Sequence, residues 1–269
     1  MMICKMYDSS LLIIYLISFL ASVLGAVCGI GGGVIIKPVL DSFQLMDAGT
    51  VSFLSGCTVL SMTCYSVVSV HVKGDSRIDY KVSTYLGIGA AAGGCLGKCL
   101  FEALNRWFSD AGRIGAVQSA ALFVLTIGTL CYTLQKHRIH TRHITGKSIC
   151  ACIGIILGIM SSFLGIGGGP INLVLLYFCF SMETKVAVQN SLYIILISQV
   201  SSLIFTAVKG NLPAVRPALL LGMVIFGILG GAAGRRVNSK IDSHTVNKLF
   251  IAVMLIIILI CVYNFVQYM

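Results

Sequence analysis

The sequence has few charged side chains, since Asp, Glu, Lys and Arg make up only 10% of its 269 residues and just nine of them are acidic. Hydrophobic residues make up 57% of the chain, and the mean hydropathy is +0.97. A soluble domain of this length needs more polar side chains to cover its surface. The shortage of charge therefore excludes a soluble protein and predicts an all-α polytopic protein of the cell (plasma or inner) membrane, in contact with the lipid bilayer.

The chain also lacks the motifs of several common chemistries. It has no His-Glu-x-x-His motif, no phosphate-binding loop in which Gly-Lys-Ser or Gly-Lys-Thr follows a run of glycines, and no paired carboxylates within an apolar segment. Its eleven cysteines include no CxxC pair, and most lie in apolar runs, where cysteine serves as a small buried residue. We therefore expect no enzymatic activity, no metal site and no cofactor.

The net charge of +10 is the one feature that suggests nucleic acid. However, the basic residues lie in short connectors between apolar runs, as they do in the cytoplasmic loops of membrane proteins. We therefore expect no nucleic-acid partner.

What the chain does contain is Gly-Ile-Gly-Gly-Gly twice, at Gly29 to Gly33 and at Gly165 to Gly169, each time within a long apolar stretch. Adjacent glycines break a helix, because each costs about 1 kcal/mol relative to alanine and permits positive φ. Pro170 suits the first position of a new helix. The apolar flanks are shorter than the roughly 20 residues of a membrane span. The pattern predicts two pairs of short helices, each pair meeting at a glycine hinge.

Backbone that leaves the helix at membrane depth must be buried by protein or reached by water, so we expect the hinges to line a cavity. Their free N–H groups lie at helix N-termini, which attract anions. The candidate anion-binding glycines are Gly31, Gly32, Gly33, Gly167, Gly168 and Gly169. Close helix packing is the alternative explanation for them.

The two motifs belong to a duplication that extends along the whole chain. A shift of 136 residues places Gly29 on Gly165, Ser55 on Ser191 and the Val-Lys-Gly at 72–74 on that at 208–210, with no gap. We therefore divide the chain into a first repeat, 1–134, a basic cytoplasmic linker, 135–147, and a second repeat, 148–269. The apolar run Leu11 to Cys28 resembles a signal peptide, but it recurs at Ile149 to Leu164, so we expect it to be retained.

Each half is predicted to contain a glycine-broken helical hairpin followed by three transmembrane helices. The six predicted helices are Thr50 to Val72, Val82 to Leu104, Arg113 to Leu134, Val186 to Val208, Ala214 to Arg235 and His244 to Tyr268. Glycines at four-residue spacing, such as Gly89, Gly93 and Gly97, favour close packing between helices.

The distribution of charge favours inverted repeats. If each broken segment were a full span, the basic residues of the loops would divide equally between the two sides. If each is a re-entrant hairpin, twelve lie on the side of the linker and five on the other side. The second arrangement satisfies the positive-inside rule and places both termini outside. His137, His140 and His143 of the linker could bind metal or sense pH, although a solvated basic loop is the simpler interpretation.

The paired glycine motifs, the two equivalent halves and the basic linker resemble the TauE/SafE family of sulfite exporters over nearly the whole chain. Each motif is followed by a characteristic stretch, Val34-Ile35-Ile36-Lys37-Pro38 and Pro170-Ile171-Asn172. The resemblance implies transport of a small sulfur-containing anion, such as sulfite, thiosulfate, a sulfonate or a related species, with export expected. An importer and a non-transporting receptor or scaffold are the alternatives, and assembly as a homo-oligomer is compatible with any of them.

The residues near the hinges complete the predicted substrate site. Lys37 lies one turn beyond the first hinge and is our first candidate for a charged contact with the anion, although its side chain could instead extend to the membrane interface. The uncharged candidates are Ser55, Asn172, Gln189, Asn190 and Ser191. Ser55 belongs to a stripe with Ser52, Thr58 and Ser61 that either lines a hydrated path or makes hydrogen bonds between helices.

Overall fold

A computed structural model of the protein describes residues 2–43, 46–107, 111–136, 141, 144, 146–166, 168–210 and 212–268. Within these ranges the regular elements are ten α-helices and no strand, which confirms the all-α prediction. The helices are α1 (Met2–Cys28), α2 (Gly33–Ser42), α3 (Ala48–Val72), α4 (Tyr80–Trp107), α5 (Ala111–Gln135), α6 (Lys147–Phe163), α7 (Pro170–Phe180), α8 (Thr184–Val208), α9 (Pro217–Lys240) and α10 (Ser243–Tyr268).

Within the described part of the chain, six helices contain a stretch that is long and apolar enough to cross a membrane. These helices are α1, α3, α5, α8, α9 and α10. The polytopic prediction is therefore confirmed, but one detail was wrong. The segment before the first glycine motif is longer than predicted, because α1 continues towards the N-terminus beyond the apolar run and reaches 27 residues. Helix α4 is also long, but its glycines and lysines make it less apolar than these six.

The two halves interlock. The shift of 136 residues that aligns the sequence also places α1–α5 on α6–α10 and matches α3 with α8 end to end. Helix α1 packs along α9, and its counterpart α6 packs along α4. Each broken segment therefore contacts the fourth helix of the other half, so neither half buries its own core alone.

The equivalent helices α3 and α8 run in opposite directions. The connector after α3 contacts the start of α8, where the Arg77 N–H donates to Gln189 Oε1 at 2.8 Å. Near the start of α3, a Cβ added to Gly56 would lie 3.5 Å from Gln199, in the second half of α8. An inverted repeat requires this relation between equivalent helices. Its orientation in the membrane stays a prediction.

Glycines allow the closest helix contacts, as the four-residue spacing predicts. A Cβ on Gly89, Gly93 or Gly97 of α4 would lie 2.1 to 2.5 Å from a backbone oxygen of α6. Gly230 and Gly234 of α9 are equally close to backbone oxygens of α1. Only glycine permits this separation, because a real Cβ would overlap the neighbouring backbone.

Candidate anion site at the paired glycine breaks

The first glycine motif reverses the direction of the chain between α1 and α2. Gly29 and Gly31 adopt left-handed conformations, with φ of 75° and 70°. A Cβ on Gly32 would lie 3.1 Å from the carbonyl oxygen of Ala21, two turns back along α1, so the chain folds back beside the helix it has just left. Gly32 itself is helical, with φ of −61°, and its requirement for glycine is therefore steric rather than conformational.

The second motif makes the corresponding break between α6 and α7. Gly165 and Gly168 have φ of 66° and 131°, which disfavour residues with a side chain. Pro170 occupies the first turn of α7, as predicted, and Gly169 precedes it in an extended conformation. Gly167, a predicted anion ligand, lies outside the described residues.

The two breaks meet at the centre of the protein. A Cβ on Gly33 would lie 2.3 Å from the Ile166 carbonyl oxygen of the second break. Ile195 of α8 lies beside both Gly31 and Gly168. The structure therefore brings the two predicted glycine clusters into one place, although they are more than 130 residues apart in the chain.

Ser55 and Ser191, which are equivalent in the two halves, lie at this junction. Ser191 Oγ donates a hydrogen bond to the Gly29 carbonyl oxygen at 2.6 Å. Ser55 Oγ lies 3.0 Å from the position of a Cβ on Gly33, is buried, and has no hydrogen-bond partner among the described residues. A buried hydroxyl without a partner is uncommon, because desolvation is not compensated. Ser55 is therefore available to a bound ligand.

The other predicted polar residues have different surroundings. Asn190 is buried, accepts hydrogen bonds from the Asp79 N–H and Ser83 Oγ, and donates to two backbone carbonyls. Gln189 holds the same connector between α3 and α4 through the Arg77 N–H. Both side chains fix the connector rather than the glycine junction. Asn172 is buried within α7.

Lys37 is buried and paired. Its side chain is 3% exposed, and its Nζ lies 2.9 Å from Asp41 Oδ2 and donates to Gln118 Oε1 at 3.0 Å. Its Cε would lie 2.8 Å from a Cβ on Gly165, so Lys37 extends from the first break to the second. This burial within the protein excludes extension to the membrane interface. The predicted contact with an anion stays a prediction, and Asp41 competes for the same charge.

The serine and threonine stripe of α3 was predicted either to line a hydrated path or to make hydrogen bonds between helices, and its residues differ in this respect. Ser52 lines a cavity at the end of the bundle where α3 begins, and Ser55 lies at the junction. Thr58 Oγ1 donates to the Leu54 carbonyl, and Ser61 Oγ donates to the carbonyls of Thr58 and, at 3.3 Å, Val224 of α9. Ser52, at the start of the stripe, lines a cavity, and the end of the stripe makes hydrogen bonds within and between helices.

A cavity of about 470 Å³ opens at the end of the bundle where α3 ends and α8 begins. We call it the Arg77 cavity; its lining includes Ser66, Asp75, Arg77, Lys185, Val188, Gln189, Arg235 and Asn238. It leads towards the first break, because the Cα of Val188 would lie 2.7 Å from a Cβ on Gly29. Arg235 donates to the Ser66 carbonyl at 3.3 Å and lies 3.8 Å from the exposed carboxylate of Asp75.

A second cavity, of about 310 Å³, opens at the opposite end of α3 and α8. We call it the Lys98 cavity; its lining includes Asp47, Gly49, Ser52, Lys98, Glu102, Gln118, Gly165, Ser202, Thr206 and Pro213. It reaches the second break directly at Gly165. Lys98 Nζ donates to the Ser202 carbonyl at 2.6 Å and to Thr206 Oγ1.

The acidic residues of the Lys98 cavity are held in the charged form or paired. Burial opposes ionisation of Asp47, but hydrogen bonds from the side chain and N–H of Thr50 outweigh it, so the pKa of Asp47 lies below its ordinary value. Glu102 lies 2.7 Å from Lys209 Nζ, and this hydrogen bond raises the pKa of Lys209. Lys209 ends α8, where we expect a cation to complement the helix dipole.

The basic residues of the Arg77 cavity are not predictable from the sequence as members of one site. Arg77, Lys185 and Arg235 are far apart in the chain, and each lies in or beside a connector, where it was counted only as a loop charge. The duplication does contain a signal for them, because each is basic in one half only. The positions equivalent to Arg77, Lys185 and Arg235 are occupied by the uncharged residues Pro213, Gly49 and Cys99.

The fold and the two cavities define a class of protein. Helices broken at the centre of the bundle, duplicated halves and cavities that approach the breaks from opposite ends are typical of secondary membrane transporters. A comparison with protein families identifies the family within this class. The chain belongs to the sulfite exporter TauE/SafE family, whose model matches residues 14–260.

Two relatives are similar over almost their full length. The chain is 24% identical over 268 residues to the probable membrane transporter protein YunE of Bacillus subtilis (strain 168), covering 92% of this chain and 96% of the relative. It is 27% identical over 249 residues to the probable membrane transporter protein MJ0441 of Methanocaldococcus jannaschii, covering 86% and 87%. No solved structure matches the chain. The protein is therefore a multi-pass membrane transporter rather than an enzyme.

Proposed function

We propose that the protein exports a small sulfur-containing anion, which binds at the junction of the two glycine breaks and reaches it through one cavity at a time. The observation that carries this proposal is the position of the cavities. They lie at opposite ends of α8, one next to each break, and the two breaks approach each other closely at Gly33 and the Ile166 carbonyl. This is the geometry that alternating access requires.

The chemistry of the junction suits an anion. Helices α2 and α7 begin at the two breaks, and the N-terminus of each presents backbone N–H groups and the positive end of the helix dipole. The unpartnered hydroxyl of Ser55 adds a donor beside Gly33. An oxyanion that parts the two breaks would accept hydrogen bonds from these groups, whereas a cation would be repelled by the dipoles.

Energetics favours export as the direction of transport. An inside-negative membrane potential favours movement of an anion out of the cell by about 2.3 kcal/mol per charge for each 100 mV. Export therefore needs no coupled ion. Import of the same anion would need one, and the few carboxylates of the sequence predict no acidic relay.

Transport by the purified full-length protein in liposomes tests the proposal. We expect uptake of sulfite, thiosulfate or a small sulfonate above that of protein-free liposomes, and faster uptake when the potential draws anions inward. A bound anion should also stabilise the fold, by about 2.7 kcal/mol when it is present at 100 times its dissociation constant. Absence of both flux and stabilisation with all three classes of anion would overturn the proposal.

A further inference from the structure

The two cavities are equivalent in backbone but differ in charge. The residues lining the Arg77 cavity include three that are basic and one that is acidic, and those lining the Lys98 cavity include one that is basic and two that are acidic. Both statements apply to the described residues. Because the repeat relates the two cavities position by position, the difference in charge lies in the side chains and not in the fold.

Four of the differences between equivalent positions make the Arg77 cavity the more positive one, and two, Lys98 opposite Gly234 and Asp75 opposite Asn211, act the other way. Each of the three basic residues of the Arg77 cavity has an uncharged counterpart in the other half. Asn238, which also lines the Arg77 cavity, corresponds to Glu102 of the Lys98 cavity. Lys98, which donates to Ser202 and Thr206, and Lys209, which pairs with Glu102, offset the two carboxylates, so the Lys98 cavity is close to neutral.

The guanidinium of Arg235 is the best placed of the three cations to hold an oxyanion. Its side chain is 15% exposed, so its charge is only partly screened by water, and Asp75, its acidic neighbour, is 72% exposed and 3.8 Å away. A guanidinium has five donors in a planar fork that fits two oxygens of one anion. Arg77 and Lys185 lie in the wall of the same cavity.

From this asymmetry we infer that the Arg77 cavity is the capture site for the anion and the Lys98 cavity its release route, with a preference for compact oxyanions that carry two negative charges. The inference rests on the proposed function. The charges cannot change the equilibrium across the membrane, but they raise the local concentration of anions in the Arg77 cavity relative to the Lys98 cavity. The apparent KM should therefore be lower at the face onto which the Arg77 cavity opens.

The test compares transport from the two faces in right-side-out and inverted membrane vesicles. The probes are thiosulfate, a dianion, and methanesulfonate, a monoanion of similar size. We expect the triple variant Arg77→Gln, Lys185→Gln and Arg235→Gln to raise the apparent KM for thiosulfate at least tenfold at the face of the Arg77 cavity, and less than threefold at the opposite face. For methanesulfonate the rise should be about threefold, because electrostatic energy is proportional to charge. Both effects should shrink as ionic strength increases.

Arg236→Gln is the matched control. It removes a basic residue next to Arg235 on the same helix, but its side chain is exposed and does not line the cavity, so KM should not change. Glu102→Gln is the reciprocal variant, and it should lower the KM at the face of the Lys98 cavity. The three single Gln variants, each expected to raise the KM two- to threefold, provide the measurement if the triple variant does not reach the membrane.

The possible failures are distinguishable. A parent protein that transports neither anion would overturn the proposed function and this inference together. A parent that transports both, with a triple variant whose KM is unchanged or rises equally at the two faces, would overturn the inference alone. An equal rise for the monoanion and the dianion, or the same rise in Arg236→Gln, would also contradict it.

Discussion

Lys37 and Asp41 form an ion pair inside the bundle, so a substitution of Lys37 affects folding as well as any contact with the substrate. Removing one member of a buried pair leaves the other charge uncompensated, which costs about 3 to 5 kcal/mol. Lys37→Met should therefore lose much folded protein for a reason unrelated to substrate. The sequence could not predict this, because an i, i+4 pair on a ten-residue helix can equally face water.

The double variant Lys37→Met with Asp41→Asn separates the two roles of Lys37. If the pair is structural, the double variant should fold better than Lys37→Met alone and transport thiosulfate with a KM close to that of the parent. If Lys37 contacts the anion, the double variant should fold but lose at least tenfold in affinity, or about 1.4 kcal/mol. Thermal unfolding and thiosulfate flux of the three variants distinguish these results.

Gly168 combines a left-handed backbone with a lack of space. Its φ is 131°, and a Cβ would lie 2.5 Å from Ile195, at the junction of the two breaks. We expect Gly168→Ala to reduce transport at least tenfold, because the added methyl group both strains the backbone and wedges the breaks apart.

Gly210→Ala is the control, since Gly210 has φ of 70° but nothing within 4 Å of the added Cβ. It should cost about 1 kcal/mol of stability and little transport. Equal transport by the two alanine variants, after correction for folded protein, would contradict a role for Gly168 in the substrate pathway.

At the scale of the helices, the sequence predicted the elements well and their partners poorly. Lengths of apolar sequence and glycine clusters defined the helices, and all six predicted helices after the breaks begin and end within five residues of the observed bounds. The packing of α1 on α9 and of α6 on α4 was not predictable, because both halves expose the same kinds of apolar and small-residue surface. Hydrophobic periodicity identifies a buried face but not its partner.

The contact between α4 and α6 depends on glycine. A Cβ on Gly93 would lie 2.1 Å from the Ile155 carbonyl oxygen, so Gly93→Ala must push the two helices apart. We expect a loss of about 1 to 3 kcal/mol, measured by thermal unfolding in detergent. Gly128→Ala in α5 is the control, because nothing lies within 4 Å of its added Cβ, and helix propensity should make it neutral or stabilising. Equal stability of the two variants would show that α4 and α6 can separate without cost.

At the scale of the whole molecule, the difference in charge between the two cavities could not be predicted from individual residues of the sequence. Loop charges were counted only to orient the chain, and that count cannot show which of them converge. Arg77, Lys185 and Arg235 come together because α3, α8 and α9 end or begin at the same end of the bundle. Because these residues converge, the orientation of the protein in the membrane decides which face presents the Arg77 cavity to the substrate.

The last prediction concerns that orientation. The connector 73–79 and its equivalent, 209–216, lie at opposite ends of the bundle, because Gln189 at the start of α8 contacts the first connector and Lys209 ends the same helix. In a membrane they should therefore lie on opposite sides, the first in the cytoplasm with the linker, where basic residues are concentrated, and the second outside with both termini. Protease tags inserted in each connector, between Lys136 and Thr141, and at the C-terminus report the side of each segment in intact cells. The two connectors on the same side would exclude inverted repeats, and a linker outside the cell would reverse the face from which the Arg77 cavity captures its anion.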